Sequence, residues 1–283
     1  MIGSMRGLPR RAAVGRVADA HPAPLEAGDL CSDRARRYAH DRPLQRVHVL
    51  EAGCGWGRGL DLGGRDHQAT GVDRDAPALR AHTRARADLD AWHLGDLRTV
   101  PMPPRAYDIV HAPFLIERVP HAELVLDRFV AALKPGGLLL VRLRDRDSAF
   151  GFLDRRLPRW LREPLWRGLG RREALRPVPR DPAATSPRPE PAAARQPAPP
   201  PRAVYERVAS RQGMRWYCAM RGLVISEEYV SSDGPDALGA ATGRPVWLLC
   251  RLVALLSGGR FSARHSEVTL VIRKPENRFA RVI

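Results

Sequence analysis

Three glycines at alternate positions, Gly53, Gly55 and Gly57, follow the run Val47-His48-Val49-Leu50 and the acidic Glu51. A short apolar run bounded by glycine suits a buried strand that enters a tight turn. Glycine tolerates positive φ and puts no Cβ between backbone and ligand, so this turn, with Cys54 inside it, can press its amides against a bound molecule. The helix N-terminus expected next favours an anionic or carboxylate-bearing group. A dinucleotide fingerprint would need G-x-G-x-x-G, and its third glycine would fall on Arg58. The nicotinamide reading is weakened accordingly.

Further landmarks follow in order. Gly71-Val72-Asp73, with Arg74 after it, ends a second candidate strand on a carboxylate about 20 positions past the first glycine, the spacing expected of a ribose ligand. Gly95-Asp96-Leu97, Tyr107-Asp108-Ile109-Val110-His111 and Leu133-Lys134-Pro135-Gly136-Gly137-Leu138-Leu139-Leu140-Val141 complete the set. Together these motifs resemble those of the class I S-adenosylmethionine-dependent methyltransferases, strongly over residues 45 to 145 and in outline beyond. The resemblance implies an α/β fold: a doubly wound, Rossmann-like seven-stranded sheet, its last strand antiparallel, with helices on both faces. It also implies S-adenosyl-L-methionine as cofactor and in-line methyl transfer to a small-molecule acceptor. Glu51, Gly53, Cys54, Gly55 and Gly57 would then hold the amino-acid end of the cofactor. Asp73 and Arg74 would meet the ribose, Asp96 and Leu97 the adenine, and His111 the pocket wall.

Each of these residues also has a plainer reading. Glu51 could tie down the loop, and Asp73 and Asp96 could cap the elements that follow them. In-line displacement depends on alignment and needs no metal; a general base helps only where the acceptor has a proton to lose. His111, at the end of the fourth strand, is the candidate catalytic base, with Glu117 and His121 behind it. His111-Ala112-Pro113-Phe114 is faintly similar to the N/D-P-P-Y motif of amino-methylating nucleic-acid enzymes but lacks the amide or carboxylate. Asp145 and Asp147 could hold a metal, but no acidic partner follows the fourth strand in the matching position, so no metal is expected.

The formal charge of +16 raises nucleic acid and anionic membranes as partners. Of 47 basic residues, however, only Lys134 and Lys274 are lysine, which leaves 45 arginines among abundant alanine, proline and glycine. Such a bias scatters arginine without selecting a partner, so nucleic acid is the weaker reading. Four cysteines far apart, without a C-x-x-C pair, indicate neither a disulfide framework nor a zinc site. Met1 to Arg16 has no apolar core of a signal peptide, and Val246 to Leu256 is too short to span a bilayer. A cytoplasmic setting is expected. Three functions are compatible with these features: a small-molecule methyltransferase, an RNA or DNA methyltransferase, and an inert cofactor-binding or interaction protein.

The elements that must position these residues can be read by periodicity. Residues 1–44 read as a loosely ordered segment and a cap helix, Leu30 to Asp41, and residues 45–283 as the methyltransferase domain. The first helix after the glycine loop contains Gly59, Gly63 and Gly64, each costing about 1 kcal/mol against alanine, so it should be short or frayed. Asp75 to Ala87 reads as a helix with Asp75 as N-cap and Pro77 in its first turn. Ala122 to Leu133 carries an i, i+3, i+4, i+7 stripe, with Lys134 in its last turn. After the fifth strand, an Arg/Trp-rich lid over 150–175, able to touch a membrane interface, and a Pro-rich linker over 176–202 form an insertion. A helix from Val204 to Arg221, strands Leu223 to Val230 and Glu267 to Arg273, and a helix from Pro245 to Leu256 complete the pattern.

Overall fold

The computed structural model describes residues 21–22, 30–55, 59–156, 203–236 and 240–276. The linker, most of the lid segment, Gly57 and most of the N-terminal segment lie outside them. The strands are β1 (His21–Pro22), β2 (Val47–Ala52), β3 (His67–Asp73), β4 (Ala91–Leu94), β5 (Tyr107–Pro113), β6 (Leu133–Arg144), β7 (Val224–Ser231) and β8 (Glu267–Arg273). The helices are α1 (Leu30–His40), α2 (Pro77–Arg84), α3 (Ala122–Ala132), α4 (Ala149–Arg156), α5 (Arg211–Arg221), α6 (Asp233–Asp236) and α7 (Ala240–Leu256).

The sheet order is β1-β7-β8-β6-β5-β2-β3-β4, with β8 antiparallel to both its neighbours and every other pairing parallel. Beside the two-residue edge strand β1 this is the expected seven-stranded sheet. Its central strands are apolar almost throughout because both faces are covered. Val47 and Val49 of β2, Ile109 of β5 and Leu138 and Leu140 of β6 pack with Cys31, Ala35 and Tyr38 of α1. The alternate residues Leu50, Val110, Leu139 and Val141 pack with Phe129 of α3 and Met214 and Tyr217 of α5. Strand alternation thus assigns one helix layer to each face.

Several local expectations change. Residues 59–66 form turns rather than a helix, with Gly63 at φ 64° and Gly64 at φ 78°, a backbone that a helix cannot continue. The cap of α2 is Ala76, whose methyl can accept no hydrogen bond, and Asp75 makes a bidentate pair with Arg80 instead. Lys134 lies in β6, not in the last turn of α3, and donates to Asp108 Oδ2 at 2.7 Å. The α3 C-terminus is capped instead by Lys274, whose Nζ donates to the carbonyls of Val130 and Leu133 at 2.6 and 2.7 Å. Helix α5 starts at Ser210, whose hydroxyl accepts from the Gly213 amide at 3.0 Å, so residues 203–209 precede it as irregular chain. Helix α7 begins five residues before Pro245.

Candidate functional site

The parallel strands β2 to β5 end on one edge of the sheet, and the motif residues gather there. Gly53 takes φ 85° and its amide donates to the Val72 carbonyl at 2.8 Å, which turns the chain over the end of β3. The Gly55 amide donates to Asp73 Oδ2 at 2.8 Å, and a Cβ on Gly55 would stand 2.9 Å from that oxygen and from Leu79. Only glycine lets the loop lie so close to the carboxylate. Beneath the loop, Arg86 Nη1 donates to the Cys54 carbonyl at 3.0 Å and its guanidinium pairs with Asp88. The Cys54 thiol is buried, which pushes its pKa up to about 12 and leaves it a packing group.

Asp73 is buried, and Oδ1 accepts from the Arg74 amide at 2.7 Å. Burial raises its pKa, against the two backbone amides that lower it. Each oxygen takes one described hydrogen bond, and a carboxylate oxygen can accept two. Asp73 does not cap α2, whose N-cap has no side-chain bond. Next to it opens a cleft of about 320 Å³, lined by Arg74, Asp96, Leu97, Arg98, Val119 and Val125 among others. Asp96 is exposed and held by Arg98, through two guanidinium nitrogens and the backbone amide, and these bonds hold its pKa down at about 2. The Leu97 side chain is buried in the core, and its carbonyl accepts from Arg128 Nη1 at 2.9 Å.

Glu51 and His111 form one buried unit. Glu51 Oε1 accepts from the Leu60 amide at 2.8 Å, while Oε2 lies 2.8 Å from His111 Nδ1. Burial alone would lower the His111 pKa. The Glu51 charge, with hydrogen bonds to Cys31 and Glu51, outweighs it and raises the pKa well above the ordinary histidine value. A protonated imidazole has no lone pair with which to take a proton.

Behind β5 a second group converges that the sequence did not bring together. Glu117 is fully buried, and its carboxylate makes no hydrogen bond to another described residue. The guanidiniums of Arg118 and Arg144 stand 3.9 and 4.0 Å away. Burial raises the Glu117 pKa, with those two cations opposing. Its carbonyl accepts the amides of Val204 and Tyr205 at 2.7 and 3.0 Å. Phe114, His121 and Tyr205, all close in chain or contact to Glu117, adopt φ of 51°, 54° and 52°. Such strain in non-glycine residues concentrates at functional sites. His121 itself precedes α3, and the carboxylate of Glu206 receives the His121 and Ala122 amides at 2.6 and 2.9 Å. Asp145 pairs with His265 Nε2 at 2.8 Å, and no cluster able to hold a metal occurs among the described residues. No short spacing marks the Glu117 group, since Tyr205 and Arg144 come from distant parts of the chain.

These features fit a nucleoside carrying an amino-acid end. A glycine loop packed too closely for a Cβ lies on a buried carboxylate with acceptor capacity to spare, and a cleft that begins at Arg74 lies beside it. A family described as Methyltransferase domain matches residues 25–180. Trans-aconitate 2-methyltransferase of Variovorax paradoxus is 31% identical over 124 residues, 39% of this chain and 48% of that protein. Malonyl-[acyl-carrier protein] O-methyltransferase of Erwinia pyrifoliae is 29% identical over 132 residues, 46% of this chain and 48% of that one. The chain thus spans about half the length of these curated relatives. Among solved structures, a methyltransferase in complex with the Haloferax volcanii Trm112 activator matches with a TM-score of 0.50 at 14% identity, over 88% of this chain and 96% of that one, a likeness of fold alone. The family match, the strand order and the glycine loop agree, and the chain belongs to the methyltransferase-domain family.

Proposed function

We propose that the protein transfers a methyl group from S-adenosylmethionine to a small-molecule acceptor at the carboxyl edge of β2 to β5. The observation that carries this reading is the contact of Gly55 with the buried Asp73 carboxylate beside the cleft at Gly95 to Arg98. When bound, the cofactor supplies an electrophilic methyl on a cationic sulfonium. Gly53 and Gly55 would lie against its amino-acid end, and Asp73 would accept from the ribose hydroxyls. Leu97, Val119 and Val125 would exclude water around the base. The name of one relative, trans-aconitate 2-methyltransferase, supports a small acceptor.

His111 serves in this reading as a positioning residue that fixes Glu51, and through it the chain at Leu60 where it leaves the loop. Glu117 is the residue assigned in this reading to the acceptor's proton, since its carboxylate lies between Arg118 and Arg144 and no neighbouring side chain claims its oxygens by a hydrogen bond. Two measurements test the proposal. Calorimetry should show S-adenosylhomocysteine binding and no NAD binding. A panel of small carboxylic acids, alcohols and amines, offered with methyl-labelled cofactor, should yield one labelled product class, and the Glu117→Gln variant should lose turnover while keeping S-adenosylhomocysteine affinity. NAD binding without S-adenosylhomocysteine binding would overturn the assignment.

A further inference from the structure

Helix α7 is apolar on two opposite sides. One side, with Val246, Cys250 and Val253, packs on Phe150, Leu153 and Phe261 beside α4. The other side presents Leu248, Leu252, Leu255 and Leu256, exposed by 60, 49, 78 and 80%. Their i, i+4, i+7, i+8 spacing makes one continuous stripe, a surface that water disfavours and that monomeric proteins seldom show. Trp247 borders the stripe, and the Arg251 guanidinium stacks 4.6 Å from its ring centroid. Residues 240–264 contain Arg244, Arg251, Arg260 and Arg264 and no aspartate or glutamate.

Leucine in a stripe, tryptophan at its border and arginine around it form the composition of a helix lying in a bilayer interface, with cations meeting anionic headgroups. A second copy of the chain fits less well, since a two-fold contact on this face would bring the same arginines together with no acid from the segment to pair them. No helix among the described residues is long and apolar enough to cross a membrane, so the contact would be peripheral. The topology also places α7. Strand β7 ends and β8 begins opposite the end of β6, so α6 and α7 connect them along the same sheet edge that carries the glycine loop.

We propose that the Leu248–Leu256 face of α7 docks this protein on an anionic lipid surface. The experiment is co-sedimentation of the full chain with unilamellar vesicles of phosphatidylcholine alone, or of phosphatidylcholine and phosphatidylglycerol in equal parts, at low and high salt. The protein should partition at least about tenfold more strongly onto the anionic vesicles, and high salt should weaken the difference. Leu252→Glu/Leu256→Glu should lower partitioning by about tenfold or more, and Arg251→Gln/Arg260→Gln by about fivefold per arginine. The thermal midpoint and S-adenosylhomocysteine affinity of both variants should stay at wild-type values, since all four side chains lie outside the core. Absence of sedimentation with anionic vesicles overturns the proposal, as does equal binding by the leucine variant. A concentration-dependent dimer that the leucine variant abolishes, without vesicle binding, would assign the face to a second copy instead.

Discussion

Asp73 concentrates the cofactor reading in one carboxylate. If it accepts the ribose hydroxyls, Asp73→Ala removes charge-assisted hydrogen bonds of about 1.5–3 kcal/mol, or about a tenfold to hundredfold loss of S-adenosylhomocysteine affinity. Asp73→Asn should weaken binding too, because one of its two side-chain heads is a donor. Wild-type affinity in both variants would remove Asp73 from the site. His111 makes a prediction of opposite kind, on stability. Its pKa is raised in the folded state, so its contribution is present in full below the unfolded value of about 6.5 and is lost as pH rises through the raised value. His111→Gln leaves Glu51 buried without its cation and should cost about 3–5 kcal/mol near pH 6. That cost should shrink between pH 6 and 9 in urea unfolding, and a constant difference would show that the imidazole is neutral in the fold.

At the scale of elements, the chain's two lysines hold one corner of the sheet. Lys134 pairs with Asp108, and Lys274 closes the C-terminus of α3. Lys274→Met keeps the apolar stem but leaves two carbonyls without their donor, which should lower stability by about 1–3 kcal/mol in thermal or urea unfolding. Gly55→Ala acts on the turn between β2 and β3. Its Cβ would displace the loop from Asp73 and Leu79, so S-adenosylhomocysteine affinity should fall by more than tenfold, with destabilisation of about 1–3 kcal/mol. The strands were legible in the sequence because burial on both faces makes them apolar runs, and the turns because glycine and aspartate end those runs in fixed order. Caps were less legible. Asp75 has the right chemistry to cap α2, but in the fold the cap position falls on Ala76 and the Asp75 carboxylate pairs with Arg80. Glu117 stood out in the sequence behind His111, but the group around it did not: Arg144 and Tyr205 reach it only through the fold, and no periodicity records contacts across that separation.

For the whole molecule, the charge of +16 reads differently once the pairs are placed. Arg34 meets Glu227, Arg80 meets Asp75, Arg98 meets Asp96, Arg215 meets Glu228 and Arg221 meets Asp127. Such pairs add little stability each where both partners are exposed, and because the +16 already counts every aspartate and glutamate they set where the excess arginine lies and not how much of it remains. The arginines around α7 are the contrasting case, gathered where no acid lies nearby in sequence. Cofactor binding is expected to act through the glycine loop and Asp73 and not through net charge. A ligand that binds only the folded chain stabilises it by about 2.7 kcal/mol at a hundred times its Kd. For a domain of this size that corresponds to a rise in thermal midpoint of about 5–10 °C. S-adenosylhomocysteine should produce this shift in the wild type and much less in Gly55→Ala, while NAD at the same concentration should produce none. Polyphosphate of matched charge separates the two causes. If it shifted the midpoint as far as S-adenosylhomocysteine does, the stabilisation would come from the arginine surface and not from the glycine loop.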